Sequence, residues 1–477
     1  MSTRKLQLRI YWALPAFIIL IALWALGVLY ASDAPSAPKK QEGVVIKVNV
    51  NLVTTDVSII GKPTSELNKE DFIIYDDGVA QPAILLSQDQ LPIAVGLLID
   101  ASGSTRPYMP VMQLAGIAAI RHLRPDDKAV LYSFYGRVRR HTDLTNDVVQ
   151  IVDAFSGIEI LGGGTAVYDA IFDASNYLGQ TAPNSRRAII LISDDQSNRS
   201  TQTPDRVLSS LLETTTTLYN VLAQSIANPG FGESGASVIL IPQMAAETGG
   251  EYFDVRNPAG LQTALANAML NIRKQYTLGF SPSNPGNPGT YHRLEVKLAS
   301  QKHCPGCVLR TRKGYYSGAT APNPSPETIS KPVRTPEQTD ELLVRKAMLA
   351  VGTDDSFEFS TLQFNAQSSV TTDSNNKPVI KIDLQIPTQN IGFKIEEGRY
   401  ATQLRIAVLS LKGGGIVETN WSGLDLRLSE ETYKKCQQSG IPFSTTIPKK
   451  SDKGNIRVVV YDKGNDLVGS MTIKFAN

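Results

Sequence analysis

The amino-acid sequence predicts a doubly wound, Rossmann-like α/β domain inserted between β segments that form a small sandwich. A C-terminal β domain follows this module in the chain, and a transmembrane helix precedes it. Apolar, strand-like runs alternate with helical patterns through the middle of the chain. β-Branched segments with turn residues lie on both sides of that region. An uncharged apolar run opens the chain, whose 477 residues exceed the ~100–200 that one core usually serves.

Residues 1–31 are predicted to form a signal-anchor or a signal peptide. Arg4, Lys5 and Arg9 precede the uncharged apolar run Tyr11–Ala31, which at about 20 residues can cross a bilayer as a helix. The basic flank should stay in the cytoplasm, so the rest of the chain is expected outside it. A cleaved signal peptide is the alternative, although its apolar region is normally only ~7–15 residues long. We therefore expect a cell-envelope protein, membrane-anchored with its bulk periplasmic or extracellular, or secreted if the segment is cleaved.

Two β segments, 44–90 and 274–317, flank the central region. The first contains the β-branched stretch VVIKVNVNLVTTDVSII and a hairpin that turns at Asp76-Asp77-Gly78. The second contains three short strands separated by Pro, Gly and Asn residues. Each segment has only about 45 residues, too few to bury a convincing core alone. We therefore expect strands of the two segments to pair in one module.

The central region, 91–273, carries the α/β pattern. The continuous apolar run at 93–99 is typical of a parallel strand that is buried on both faces. The next strand is expected at 128–135, and another buried strand at 187–193. Two further extended segments are expected at 217–225 and 250–255. Helical patterns occur at 111–123, 147–155, 167–178, 205–214, 237–248 and 260–273.

The C-terminal region, 340–477, is predicted to be mostly strands with one short helix near 430–438. Hairpins turning at Lys-Gly-Gly-Gly and Asp-Lys-Gly-Asn-Asp favour an Ig-like β-sandwich. Composition predicts linkers at 32–43 and, rich in proline, at 318–339.

Polar residues lie directly after two of the buried strands and in one connecting loop. The motif Asp100-x-Ser102-x-Ser104 begins where the first strand ends, and Asp194 directly follows the third apolar run. Thr165 ends a Gly-Gly-Gly-Thr sequence in a loop before a helix. Since ligands bind at the carboxyl ends of strands in an open α/β sheet, these five side chains are expected at one edge.

This arrangement resembles the von Willebrand factor A (VWFA) family, whose metal-ion-dependent adhesion site consists of an Asp-x-Ser-x-Ser motif, a threonine from a second loop and an aspartate from a third. These positions are matched in order by Asp100, Ser102, Ser104, Thr165 and Asp194. The wider resemblance is to bacterial VWFA-related proteins of the cell envelope, and it covers most of residues 44–317. One departure is Asp195, where the family usually has glycine. The resemblance implies a binding protein and not an enzyme.

The candidate ligand groups are all oxygens, which suits a hard cation such as Mg²⁺, or Mn²⁺ or Ca²⁺. Three are neutral hydroxyls and two are carboxylates, so their charge only just neutralises a divalent ion. In the resembling family an acidic side chain of the partner fills the open position. We therefore expect a protein partner that presents an acidic residue.

Other ligand classes are disfavoured. No histidine or cysteine lies in the three loops, which argues against a zinc hydrolase. Gly-Gly-Gly-Thr lacks the Gly-Lys-Ser/Thr ending of a phosphate-binding loop, so no nucleotide is expected. The 47 basic residues nearly balance 45 acidic ones, which argues against nucleic acid.

Cys304 and Cys307 are expected to form a local disulfide outside the cytoplasm. A thiol enzyme would need a helix N-terminus after the first cysteine to lower its pKa, and a strand is predicted there. A zinc site would need a second pair of ligands. Cys436, on the predicted helix, is expected to be unpaired.

The sequence leaves two functions open. In the first, an envelope-anchored adhesion or scaffold protein binds a partner's acidic residue through the metal ion. In the second, the β domains of a structural or assembly protein make the contacts, and the metal only stabilises the fold.

We predict that the mature protein keeps its N-terminal segment as a membrane anchor, because that segment is uncharged and long enough to span the bilayer. N-terminal sequencing of protein from the membrane fraction tests this. A mature chain that starts near Ser32 would show that the segment is a cleaved signal peptide.

Overall fold

The computed structural model describes residues 52–88, 91–194, 197–223, 240–255, 258–318, 335–353, 358–412 and 415–476. The predicted membrane segment at 1–31, the linker at 32–43 and Asp195 lie outside these residues. Within the described ranges, no helix is long and apolar enough to cross a membrane.

The described elements are numbered in chain order. The strands are β1 (Val53–Ile60), β2 (Phe72–Asp76), β3 (Val79–Gln81), β4 (Leu85–Gln88), β5 (Ile93–Asp100), β6 (Lys128–Phe134), β7 (Val138–Arg140), β8 (Arg186–Ser193), β9 (Thr216–Leu222), β10 (Tyr252–Asp254), β11 (Tyr276–Phe280), β12 (Tyr291–Leu298), β13 (Val308–Thr311), β14 (Gly314–Tyr316), β15 (Asn365–Thr372), β16 (Pro378–Ile386), β17 (Lys394–Glu396), β18 (Arg399–Lys412), β19 (Gly415–Leu428), β20 (Ile441–Pro448), β21 (Lys453–Asp462) and β22 (Leu467–Ala476). The helices are α1 (Met109–Arg121), α2 (Val148–Ser156), α3 (Val167–Thr181), α4 (Pro204–Glu213), α5 (Leu240–Glu247), α6 (Pro258–Lys274), α7 (Pro336–Thr353) and α8 (Glu430–Ser439).

The central region forms a six-stranded sheet in the order β10-β9-β8-β5-β6-β7. Its first five strands are parallel, and β7 is antiparallel to β6. Helices α1, α2 and α6 cover one face of the sheet, and α3, α4 and α5 cover the other. This confirms the predicted α/β fold. The sequence analysis did not predict the edge strand β7, because three residues are too few to show a periodic pattern.

The two flanking segments form one small β-sandwich. One sheet has the order β13-β1-β11-β4 and the other β14-β12-β2-β3, so each takes two strands from either side of the central domain. Apolar side chains such as Val57, Ile74, Leu278 and Phe280 fill the space between them. The predicted pairing between flanks is confirmed.

The loop after α5 joins the central domain tightly to this sandwich. The Lys313 amide donates to the Glu247 carbonyl at 2.8 Å. Gly249 has φ +80°, and a Cβ there would lie 2.7 Å from the backbone nitrogen of Arg312. Glycine therefore permits both the turn and the close approach.

Cys304 and Cys307 are joined by a disulfide in the turn before β13, with their Cα atoms 5.4 Å apart. Among the described residues, Cys436 on α8 is the free cysteine.

The C-terminal region contains two sheets that share an apolar core. One has the order β15-β16-β20. The other has the order β17-β18-β21-β22, with β19 also paired to β18. The coarse expectation of packed β-sheets is met, while the Ig-like character remains a prediction.

Helix α7 corrects the sequence analysis, which placed strands after a linker that ends at residue 339. The hydroxyl of Thr335 accepts from the Gln338 amide, and the Gln338 side chain accepts from the Thr335 amide. This capping box, with Pro336 at the first helical position, starts the helix inside the proline-rich stretch. The high proline content concealed these helix-start residues.

The buried face of α7 belongs to the same core as the central domain. It packs against α1 and α2 on one side and against β21 on the other. Its buried residues are Leu343, Val344, Ala347, Met348 and Val351.

Arg121, at the end of α1, adds a polar contact to this junction. Its guanidinium donates to Asp340 at 2.7 Å and to the Tyr461 hydroxyl at 2.8 Å, and it also pairs with Asp466. The C-terminal region is therefore held to the central domain by a helix face and by a buried arginine.

We predict that Met348→Ala lowers the free energy of unfolding by about 2–5 kcal/mol, because Met348 is fully buried where the two regions meet. Chemical denaturation measures the change. Glu337→Ala, at an exposed position of the same helix, serves as the control and should change stability by less than about 0.5 kcal/mol. Equal stabilities for the two variants would contradict the shared core.

Candidate metal centre

Two aspartates define one edge of the central sheet. Asp100 is the last residue of β5, and Asp194 directly follows β8, the adjacent parallel strand, with Ile99 opposite Ile192. Because both strands end at the same edge, the two carboxylates are brought together there. Asp100 is completely buried and Asp194 is 3% exposed.

The turn after β5 folds back onto Asp100. The Ser102 amide donates to Oδ1 of Asp100 at 2.9 Å. The buried Thr105 hydroxyl lies 2.9 Å from the carbonyl oxygens of both Asp100 and Ser102. These local bonds stabilise the turn that presents the serine hydroxyls beside the carboxylate.

The serine hydroxyls connect the two strand ends. Oγ of Ser102 and Oγ of Ser104 are 3.0 Å apart. Ser104 donates to Oδ2 of Asp194 at 2.6 Å. Four of the five predicted site residues therefore form one hydrogen-bonded cluster.

Thr165 is 3% exposed, and the amide of the next residue, Ala166, donates to the Tyr135 carbonyl at 2.7 Å, directly beyond the end of β6 at this edge. Its amide donates to the Asn198 side chain at 2.8 Å, which ties the loop to the segment after Asp194. A Cβ on Gly103 would lie 3.9 Å from Cα of Gly162, so the glycine loop also borders the turn after β5.

The triple glycine before Thr165 has a steric cause. Gly162 and Gly163 have φ of +71° and +86°, the left-handed region that glycine favours. A Cβ on Gly164 would lie 2.2 Å from the Asn198 and Arg199 side chains. The sequence Gly-Gly-Gly-Thr is therefore explained by backbone shape, without a phosphate.

The sequence analysis missed two supporting residues. The Ser193 hydroxyl donates to Oδ2 of Asp100 at 2.9 Å, and its one signal is a hydroxyl at the end of an apolar strand. Asn198 holds Thr165 but follows no recognisable pattern.

Burial and, after it, the negative charge of Asp194 raise the pKa of Asp100 to about 7. Hydrogen bonds from Ser102 and Ser193 oppose this effect. Among the described residues, no basic side chain is among the groups that lower this pKa. The folded protein therefore keeps two close carboxylates with little compensating positive charge.

The residues fit a divalent cation. The cluster offers carboxylate and hydroxyl oxygens, the donors that Mg²⁺, Mn²⁺ and Ca²⁺ prefer. A cation would also supply the positive charge that the buried carboxylates lack. Asp195, the departure from the expected pattern, lies outside the described residues.

A second group of metal-ligating side chains lies in the sandwich, where atoms of Asp76, Asp77 and His292 come within 4.8 Å of one another. Nδ1 of His292 is 2.9 Å from Asp77, and the Tyr315 hydroxyl donates to Asp76 at 3.2 Å. The His292 ring also stacks on Tyr315. These contacts join the buried Asp76 and His292 to the exposed Asp77 in a polar network of the sandwich.

Part of the central domain matches a known protein family. Residues 95–196 match the family model for the von Willebrand factor type A domain. No curated protein sequence matches the chain significantly.

Several solved structures resemble parts of the chain. An aerotolerance-related membrane protein from Bacteroides fragilis is 16% identical, with 37% of this chain and 98% of that chain covered and a TM-score of 0.30. A von Willebrand factor type A structure from Catenulispora acidiphila is 14% identical, with coverage of 57% and 76% and a TM-score of 0.34. The manganese-loaded TRAP protein of Plasmodium vivax is 13% identical, with coverage of 51% and 98% and a TM-score of 0.29.

We predict that Asp100→Asn, in the absence of divalent cations, is at least as stable as the wild type. The amide carries no charge to desolvate and does not repel Asp194. Added Mn²⁺ should raise the unfolding temperature of the wild type and of the exposed control Asp126→Asn, but not that of Asp100→Asn. Differential scanning calorimetry measures both effects. A metal-free loss of more than about 2 kcal/mol in Asp100→Asn would show that the fold itself needs this carboxylate.

Proposed function

Since the chain contains a von Willebrand factor type A domain at residues 95–196, we propose that it is an envelope-anchored binding protein. It engages an acidic residue of a protein partner through a divalent cation. The residues that would hold the cation are Asp100, Ser102, Ser104, Thr165 and Asp194.

The observation that carries this proposal is the buried carboxylate pair joined by serine hydroxyls at the open edge of the sheet. Two carboxylates only neutralise a divalent ion, and the other ligand groups are neutral. When bound, the cation would supply an electrophilic position that favours one more anionic oxygen. A carboxylate from a partner has the charge and the donor atom for that position.

Binding, and not catalysis, is the chemistry that these side chains support. The serine hydroxyls are engaged with each other and with Asp194, and the Ser193 hydroxyl donates to Asp100. No histidine or cysteine occurs in the described parts of the three loops. The Asp100 carboxylate, the group that could act as a general base, accepts hydrogen bonds from the Ser102 amide and the Ser193 hydroxyl.

The envelope location is part of the same proposal. The uncharged segment Tyr11–Ala31 with its basic flank favours export and anchoring. The disulfide between Cys304 and Cys307 is typical of a protein outside the cytoplasm. Mg²⁺ is the expected ion. Mn²⁺ and Ca²⁺, which also prefer oxygen ligands, are the alternatives.

We predict that partner capture requires Asp100 and a divalent cation. In pull-downs from an envelope fraction with Mg²⁺ present, Asp100→Ala should lose the partner and Thr165→Ala should retain less of it. EDTA should abolish capture by the wild type, and added Mg²⁺ or Mn²⁺ should restore it there but not in Asp100→Ala. Asp126→Ala, an exposed aspartate in the loop before β6, is the control and should behave as the wild type.

Equal capture by wild type, Asp100→Ala and EDTA-treated protein would contradict metal-mediated binding. The β domains would then make the contacts, and the function would be that of a structural or assembly protein.

A further inference from the structure

A polar cavity lies at the opposite edge of the central sheet, where the sheet meets the β-sandwich. Its lining includes Arg186 and Arg187 at the start of β8, and Asp56, Thr277 and Arg312 from the sandwich. Strand β8 runs from Arg186 to Ser193, so at ~3.3 Å per residue the cavity lies roughly 20 Å from the candidate metal centre. It is a separate feature of the molecule.

The cavity is strongly positive. Its fifteen lining residues include three arginines and one acidic residue, Asp56, which leaves a formal charge of +2. Arg186, Arg187 and Arg312 are 3%, 3% and 8% exposed, so solvent screens this charge poorly. Glu251, an acidic group near the junction, is already paired with Arg310 at 2.8 Å.

Two of the arginines are fixed by the backbone around them. Arg186 donates to the carbonyl oxygens of Ile272 and Gln275 at 2.8 and 3.1 Å. Arg187 donates to the carbonyl oxygens of Thr214 and Ala182 at 2.7 and 2.8 Å. Their positions are therefore set before any ligand arrives. Arg186 also pairs with Asp56, whose Oδ1 lies 3.3 Å from its Nε, whereas these contacts of Arg187 are to neutral oxygens.

Arg312 has hydrogen-bond donors that the described residues around it leave unpaired. Its Nη2 donates to the Thr54 carbonyl, but among the described residues its Nε and Nη1 have no hydrogen-bond partner. Burial, with a smaller contribution from the charge of Arg187, lowers the pKa of Arg312 to about 10 against the opposing charges of Asp56 and Tyr315. A buried cation with unsatisfied donors is costly unless a group of opposite charge meets it.

We propose that this cavity binds a small oxyanion of the phosphate or sulfate class. Guanidinium groups are the preferred protein ligands of such anions, and threonines supply seven of the lining residues. The cavity is partly open to solvent and has room for roughly two to three water molecules, which suits one tetrahedral anion. A bound anion would contact the central domain and the sandwich together and hold them in one arrangement.

Isothermal titration calorimetry of the full chain with sodium phosphate and sodium sulfate tests the proposal. EDTA is present throughout, so that no metal ion at the Asp100 edge can bind the anion. The wild type should show saturable binding of one anion, with sodium acetate at equal ionic strength as the comparison. Arg312→Gln should weaken binding by at least about tenfold, the effect of losing a charge-assisted hydrogen bond. Arg310→Gln, two residues away but paired with Glu251, is the matched control and should stay within about twofold.

We expect Asp56→Asn to have the opposite effect on anion affinity. Removing the carboxylate from the cavity raises its positive charge, so phosphate should bind more tightly than to the wild type. If Arg312→Gln does not fold, the phosphate affinity of Asp56→Asn still tests the proposal. Absence of saturable phosphate or sulfate binding in the wild type would overturn the proposal. Equal weakening by Arg310→Gln and Arg312→Gln, or unchanged or weaker binding in Asp56→Asn, would overturn it as well.

Discussion

The candidate metal centre depends on a buried pair of carboxylates at the ends of adjacent parallel strands. Asp100 and Asp194 occupy these ends because β5 from Ile93 to Ile99 and β8 from Ala188 to Ile192 are apolar and buried on both faces, so polar residues lie where the strands begin or stop. Desolvation and mutual repulsion make this pair unfavourable, as the raised pKa of Asp100 shows. Hydrogen bonds from Ser102 and Ser193 offset part of that cost. A divalent cation is the simplest group that offsets the rest.

The other parts of the molecule contact the central domain away from this edge. The β-sandwich meets it through the Gly249 loop and the residues at the start of β8. The C-terminal region packs along α1 and α2, with Arg121 as its polar contact at the far end of α1. Helix α1 begins directly beyond the turn that follows Asp100. The flanking regions therefore stabilise the helices and strands that position the site.

Sequence patterns predicted those features that depend on local chemistry. Long apolar runs identified β5, β6 and β8, and the residues after them identified the candidate ligands. Contacts between distant segments were not predictable in this way. Helix α7 was missed because proline suggested a linker, although Thr335 and Gln338 form its capping box. Asn198 was missed because its role arises only when its loop meets Thr165, and the arginine cavity because its members are distant in sequence.

The central claim is that the carboxylate pair holds a divalent cation. Crystals soaked in Mn²⁺ and measured at the manganese absorption edge test it most directly, since anomalous scattering locates the ion without assumptions about its ligands. Our account predicts a peak between the side chains of Asp100 and Asp194, beside the Ser102 and Ser104 hydroxyls, and its loss in crystals of Asp100→Asn. A map without that peak, or with manganese bound instead at Asp76, Asp77 and His292, would contradict the account.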